Sequence, residues 1–347
     1  MRSTQRATVR RTVALLGAAG LLLVTSSAML ATEHTDRAEW QAKYRRPTEI
    51  PFPNSDPYSE PKARLGRMMF FDPILSGSRV RSCATCHNPS LSWSDGLPRA
   101  VGEHQQALSL RSPTLLNVAW VPKLGWTGHF RNLESVAMGP ITAPSNMNIS
   151  EAELVRRLTA IPGYVDAFEA AFGEGPINRK KIESALATYE RTIVSANAPF
   201  DHWLAGDENA ITDAAKRGFD LFNGKANCVA CHSGWAFTDS SFHDIGVAKG
   251  NDIGRGTIFP TSVKLKYAFK TPTLRDVARR APYMHDGSEP TLEAVIDLYN
   301  RGGVDRPSRA EDIRPLHLTD AEKADLVAFL KTLTGVPEPV TIPPLPR

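Results

Sequence analysis

The sequence contains little cysteine, few strand signals and, beyond its first residues, no excess of either charge. Only four of its 347 residues are cysteine, and all four lie in two C-x-x-C-H motifs, which excludes a disulfide scaffold. Residues 1–31 contain four arginines and no acidic residue. Subtracting these four from the 41 basic residues leaves 37, which equals the 37 acidic residues. A neutral remainder gives no reason to expect a nucleic-acid partner.

Residues 1–31 have the organisation of an export signal. A basic stretch up to Arg11 is followed by an apolar run over 13–24 and by small residues through Ala31. The uncharged run 12–31 is also about as long as the shortest bilayer-spanning helix, so an uncleaved N-terminal anchor is the alternative. Either interpretation places the remaining chain outside the cytoplasm.

The cysteine motifs indicate two covalently bound haem c groups. On a helical turn, positions i, i+3 and i+4 share one face, so two thiols can form thioethers while the following imidazole binds the iron. Zinc ribbons keep their C-x-x-C pairs roughly 15–20 residues apart and need no histidine after either pair. The two motifs here begin 145 residues apart. The predicted attachment and iron-binding residues are Cys83, Cys86, His87, Cys228, Cys231 and His232.

Hydrophobic periodicity around both motifs predicts a mostly α-helical protein with two cytochrome-c-like helical domains, each carrying one covalently attached c-type haem. Predicted helices cover 63–71, 150–158, 179–194, 214–222 and 318–333. The predicted organisation is a signal peptide or anchor at 1–31, an extended segment at 32–59, an N-terminal haem domain at 60–200, a C-terminal haem domain at 201–335 and a proline-rich tail at 336–347.

From about residue 60 to 335 the chain resembles the bacterial di-haem cytochrome c peroxidase and MauG family. Besides the haem motifs, the matching stretches are LGRMMFFD (65–72), RSPTLLN (111–117), WTG (126–128), GP (139–140), TPTLR (271–275), APYMHDG (281–287) and the segment 291–303. The resemblance implies a periplasmic protein in which hydrogen peroxide reacts at the N-terminal haem and the C-terminal haem transfers electrons. It also implies a homodimer as one form of assembly.

Three functional hypotheses follow. The first is a peroxidase that reduces hydrogen peroxide to water with electrons from a small cytochrome c or cupredoxin, the commonest activity of the family. The second is a MauG-like enzyme that uses peroxide to oxidise an aromatic side chain of a partner protein. The third is a non-catalytic di-haem electron carrier or redox sensor.

Two residues near the C-terminal haem bear on that choice. Family peroxidases have methionine as the sixth iron ligand, MauG-like members have tyrosine, and the matching position is Tyr299. The only methionine after the second motif, Met284, lies fifteen residues earlier and is the weaker candidate ligand. A core tyrosine is the alternative role for Tyr299. Trp126 matches the tryptophan between the two haems and is predicted to relay electrons, with a packing role as the alternative.

The peroxide pocket departs from the family pattern. Its glutamine and glutamate positions, counted from GP at 139–140, are Val136 and Asn146, and neither side chain exchanges protons at neutral pH. Glu134 and His129 are candidate replacements, unless the first is a solvated carboxylate and the second a plain surface histidine. His104 lies within one residue of the family's switch histidine and is either a switchable iron ligand or an ordinary loop residue.

The family's calcium site is also altered. The resemblance offers the backbone carbonyls of Arg280 and Pro282 as calcium ligands, but Arg111 replaces the usual asparagine. A guanidinium beside a divalent cation is unfavourable electrostatically, so a bound calcium ion remains an open question at this stage.

Overall fold

The computed structural model describes residues 38–346, and within that range the protein is mostly α-helical, as predicted. The chain divides after Arg45, and both haem motifs lie in the unit that follows. Residues 38–44 are helical, so the prediction of an extended segment over 32–59 is wrong for that part. The predicted signal or anchor, residues 1–31, lies outside the described residues. No helix within 38–346 is long and apolar enough to cross a membrane.

Ten α-helices follow from residue 46 to 346: α1 (Glu60–Phe71), α2 (Cys83–Cys86), α3 (Leu133–Thr142), α4 (Glu151–Thr159), α5 (Pro162–Phe172), α6 (Arg179–Arg191), α7 (Pro199–Leu204), α8 (Asp213–Asn223), α9 (Leu292–Arg301) and α10 (Asp320–Lys331). Short 3-10 helices are Pro73–Leu75, Pro89–Leu91, Glu103–Gln105, Val118–Trp120, Cys228–Ala230, Arg255–Thr257 and Val277–Arg279. Strands β1 (Phe242–His243) and β2 (Phe269–Lys270) are antiparallel, with Phe242 opposite Lys270.

Four of the helices predicted from the sequence begin with an N-cap residue whose side chain accepts a hydrogen bond from the first turn. The Thr212 hydroxyl accepts a hydrogen bond from the Ala215 amide at the start of α8, and Thr319 with Glu322 forms a capping box at the start of α10. Ser150 and Asn178 cap α4 and α6 in the same way. Helix α6 ends at Arg191, three residues before the predicted end.

The first half is built on the crossing of α1 and α6. A Cβ at Gly66 would lie only 1.9 Å from the Ala185 carbonyl oxygen, so glycine is required for this approach. Beside the crossing, Phe70 contacts the rings of Trp93 and Tyr189 at centroid distances of 5.8 and 5.3 Å. This aromatic cluster belongs to the core against which Cys83 of the first haem motif packs.

The second half repeats that construction with α8 and α10. A Cβ at Gly218 would lie 2.0 Å from the Asp325 carbonyl oxygen. Helix α7 crosses the predicted domain boundary at 200–201, and its Phe200 packs into the second half. There it joins an aromatic cluster with Phe219, Phe237 and Phe329.

Loops rather than helices join the two halves. The Lys270 amide donates to the Trp126 carbonyl at 2.8 Å, and the Arg111 amide donates to the His285 carbonyl at 3.1 Å. The proline-rich tail has no regular secondary structure over 336–346. It contacts the first half where the Arg67 guanidinium donates to the Thr341 carbonyl at 2.6 Å.

Candidate haem sites and the junction between them

The first motif lies on the single turn of α2. The Cys83 carbonyl accepts a hydrogen bond from the His87 amide at 2.9 Å, which fixes the imidazole one turn after the thiols. Nδ1 of His87 lies 3.3 Å from the Trp93 carbonyl oxygen, and because a carbonyl only accepts, Nδ1 carries the proton. Burial lowers the pKa of His87 to about 4. The imidazole is therefore neutral, with Nε2 available to a metal.

The second motif repeats this geometry on the 3-10 helix Cys228–Ala230. The His232 amide donates to the Cys228 carbonyl at 2.9 Å, and Nδ1 of His232 donates to the Phe237 carbonyl at 2.9 Å. Burial lowers the pKa of His232, which favours the neutral imidazole. Because Nδ1 carries the proton, Nε2 is the nitrogen that can bind iron. None of the four motif cysteines is engaged in a disulfide, so all four can form thioethers. The residues present therefore fit two covalently attached haems.

A large, mainly apolar cavity opens beside the second motif. Cys228, Cys231 and His232 line it from one side, and Tyr299 of α9 lines it together with Met284. Burial raises the pKa of Tyr299. Tyr299 and Met284, the two candidate sixth ligands, therefore both line a space suited to a haem. Tyr299 lies on the same face of α9 as the buried Ile296.

Trp126 lines the same cavity although it belongs to the first half of the chain. Its indole Nε1 donates to the Arg111 carbonyl at 2.9 Å. Its ring meets His285 of the second half edge-on at a centroid distance of 6.4 Å, and His285 is stacked on Phe269 at 3.7 Å. The indole is therefore held in one orientation at the junction between the halves.

The candidate residues of the peroxide pocket have different surroundings. Val136 packs among apolar residues that include Val118 and Phe130. His104 is exposed, has a left-handed backbone with φ 55°, and faces a polar surface groove. Its loop contacts the loop of Asn146, because the Glu103 amide donates to the Ser145 carbonyl at 3.1 Å.

Glu134 points instead towards α6. Its Oε1 lies 2.7 Å from Nη1 of Arg191, and the Arg191 side chain is only 6% exposed. The neighbouring Glu190 is buried and lies within electrostatic range of both Glu134 and the Cys83 thiol. Burial raises the pKa of Glu190 to about 8, while Arg191 lowers it and Glu134 raises it. Glu190 was missed from the sequence, although its place four residues after the buried Leu186 puts it on the core-facing side of α6.

The junction does not fit a calcium ion. The Arg111 guanidinium donates through Nη1 to the Pro282 carbonyl and through Nη2 to the Arg280 carbonyl at 2.9 Å. These are the two oxygens that the resemblance offers to calcium. Both are engaged by a cation that belongs to the chain itself.

Two helical halves, each with a partly buried C-x-x-C-H motif and an oriented histidine, define the class of di-haem c-type cytochromes. The model of the family described as di-haem cytochrome c peroxidase matches residues 60–209, and the cytochrome c model matches 215–334. The chain belongs to the di-haem cytochrome c peroxidase and MauG family, which confirms the predicted resemblance, the two cytochrome-c-like domains and the two haem c groups.

Relatives of both named types are similar over nearly their whole lengths. The methylamine utilization protein MauG of Methylorubrum extorquens is 51% identical over 95% of this chain and 95% of its own. The cytochrome-c peroxidase IdrP1 of Pseudomonas sp. strain SCT is 34% identical over 90% of this chain and 91% of its own. A crystal structure of a MauG-like protein associated with microbial copper homeostasis superposes with a TM-score of 0.78 at 32% identity, covering 84% of this chain and 95% of that one.

Proposed function

We propose that this protein is a periplasmic di-haem peroxidase of the MauG kind, which takes hydrogen peroxide as its oxidant and an aromatic side chain of a partner protein as its electron source. The single observation that carries the choice is Tyr299, which faces the second haem cavity from α9 at the position where family peroxidases have methionine. The bound haems supply the redox-active iron and the cleavage of peroxide.

The chain's own residues prepare that chemistry at the first haem. His87 is neutral and oriented by the Trp93 carbonyl, so its Nε2 would bind the iron of a haem attached to Cys83 and Cys86, and that iron would supply the chemistry with peroxide. Asn146 replaces the family's glutamate and offers hydrogen bonds without a titratable proton. We assign proton transfer to Glu190, which lies within electrostatic range of Cys83 in the first haem motif, together with the adjacent Glu134, which pairs with Arg191.

Tyrosine ligation of the second haem iron would favour a protein side chain over a small cytochrome as the electron donor. Methionine ligation raises a haem potential, whereas a tyrosine oxygen favours the ferric and more oxidised states. A haem ligated by Tyr299 is then a poor acceptor for ordinary small cytochromes. It is better at retaining oxidising equivalents until a suitable side chain is near.

A small cytochrome c or a cupredoxin as electron donor is the second candidate, favoured by relatives such as IdrP1 that are named cytochrome-c peroxidases. Peroxide reacts at the first haem in both cases. The two candidates differ only in where the electrons come from.

The deciding experiment adds peroxide to the haem-loaded protein in three parallel samples, alone, with a reduced small cytochrome, and with proteins exported by the same cells. We expect a long-lived change in the haem spectra, slow cytochrome oxidation, and peroxide-dependent loss of aromatic side chains in one partner protein, read by mass spectrometry. Rapid catalytic oxidation of the cytochrome would favour the second candidate. No spectral change in any sample would overturn both and leave an electron carrier.

Replacing Tyr299 by methionine tests the ligand directly. Because methionine stabilises the ferrous state, Tyr299→Met is expected to raise the potential of the second haem by on the order of 100 mV or more and to shorten the life of the oxidised spectrum. Spectroelectrochemical titration measures the potential. The exposed Tyr58→Met serves as the control, and an unchanged potential in Tyr299→Met would refute the assignment.

A further inference from the structure

We propose that the Arg111 guanidinium serves in this chain as a built-in cation that joins the two haem domains, so that the protein requires no calcium at their junction. The proposal is independent of which substrate the enzyme oxidises. It concerns how the junction that holds Trp126 is kept together.

The contacts of Arg111 are those expected of a bridging cation. Nη1 and Nη2 donate to the carbonyls of Pro282 and Arg280, which lie about 170 residues further along the chain and in the other half. Nη2 also lies 3.5 Å from the Ser94 hydroxyl of its own half. The planar fork of an arginine can satisfy two carbonyl oxygens at once, which a lysine cannot do.

The charges around Arg111 leave no surplus of negative charge for a second cation, because Asp95 interacts with Arg111 and Asp276 with Arg280. Arg111 and Arg280 are only 7 and 8% exposed, so the junction already holds two buried guanidinium groups. The Arg280 side chain is satisfied by the carbonyls of Thr273 and Arg275 at 2.5 and 2.9 Å. A calcium ion needs six to eight oxygen ligands at roughly 2.3–2.6 Å, and here it would compete with Arg111 for the same two carbonyls while being repelled by both arginines.

The backbone of Arg111 connects this bridge to the electron path. Its carbonyl accepts the Trp126 indole hydrogen bond, and its amide donates to the His285 carbonyl. The next residue, Ser112, donates to the Cys86 carbonyl at 2.7 Å inside the first haem motif. Arg111 is thus a positioning residue for the indole between the haems, since it touches no reacting atom.

The test compares the haem-loaded wild type, Arg111→Asn and Arg111→Lys, with Arg79→Asn as the matched control at an exposed arginine. Each protein is treated with a calcium chelator, dialysed, and measured with and without added calcium chloride. The readouts are calcium content by plasma mass spectrometry, the thermal unfolding temperature, and the rate of electron transfer between the haems after flash reduction.

We expect the wild type to contain substoichiometric calcium and to unfold at the same temperature with and without chelator. Arg111→Asn, which restores the family's ligand, is expected to unfold about 5–10 °C lower and to regain part of that loss when calcium is added. Its transfer rate between the haems should fall as well. Arg111→Lys should be intermediate and insensitive to calcium.

Two results would overturn the proposal. One is a wild type that contains one calcium ion per chain and is destabilised by the chelator, an outcome that needs no variant to fold. The other is an Arg111→Asn protein, free of calcium, with the unfolding temperature and transfer rate of the wild type. Neither outcome depends on peroxidase activity, so the test of Arg111 gives the same answer if the proposed function is wrong.

Discussion

Glu190 shows how a single buried carboxyl can link the pocket chemistry to pH. It lies on the core-facing side of α6, next to the ion pair of Glu134 with Arg191 and within electrostatic range of Cys83. Burial raises its pKa to about 8 from an ordinary 4.5. A group whose folded pKa is raised stabilises the fold fully below its unfolded pKa, and this contribution is lost as the pH rises through the folded value. The relevant window therefore runs from about pH 4.5 to 8.

Replacing Glu190 by glutamine removes that titration while keeping the shape of the side chain. We expect the wild type and Glu190→Gln to have similar unfolding free energies at pH 5, and the variant to be more stable by on the order of 4 kcal/mol at pH 8.5. Denaturant unfolding of the haem-loaded proteins across this range measures the difference. The exposed Glu174→Gln should follow the wild type, and parallel curves for Glu190→Gln would mean that the buried carboxyl does not titrate in this range.

At the scale of elements, the helices that carry their own signals could be predicted and the loops could not. Thr212 and Thr319 cap α8 and α10 through bonds to amides three residues away, so the information is local. The two C-x-x-C-H motifs are also recognisable locally, because each spans only five consecutive residues. The fold class and the proximal histidines therefore follow from sequence alone.

The junction depends on contacts that no local pattern contains. Arg111 meets Pro282 across 171 residues, and its role as a bridge appears only when both loops are folded. The loop of the exposed His104 is likewise positioned by a distant contact. A Cβ at Gly102 would lie 1.8 Å from the Ser145 carbonyl oxygen, so this loop packs closely against the loop of Ser145. Sequence reasoning names these residues by analogy, but it cannot say what they touch.

At the scale of the whole molecule, the proposed function requires the two halves to exchange electrons across a junction made of loops. Trp126 is an aromatic residue of the first half whose backbone and side chain are both held at this junction. Its carbonyl accepts from the Lys270 amide, its indole donates to Arg111, and its ring meets His285. An aromatic ring in a fixed position between two redox centres suits stepwise electron transfer, whereas a mobile one does not.

Trp126→Phe tests whether the indole is the relay or only fills space. Phenylalanine keeps much of the apolar volume but is harder to oxidise and cannot donate to the Arg111 carbonyl. We therefore expect electron transfer between the haems to slow by roughly tenfold or more, equivalent to about 1.4 kcal/mol in barrier, with both haem potentials unchanged. Flash reduction measures the rate. Trp203→Phe, in the aromatic core around Phe200 and Phe219, is the packing control. If both variants transfer electrons as fast as the wild type, Trp126 acts in packing alone and the electrons cross the junction by another route.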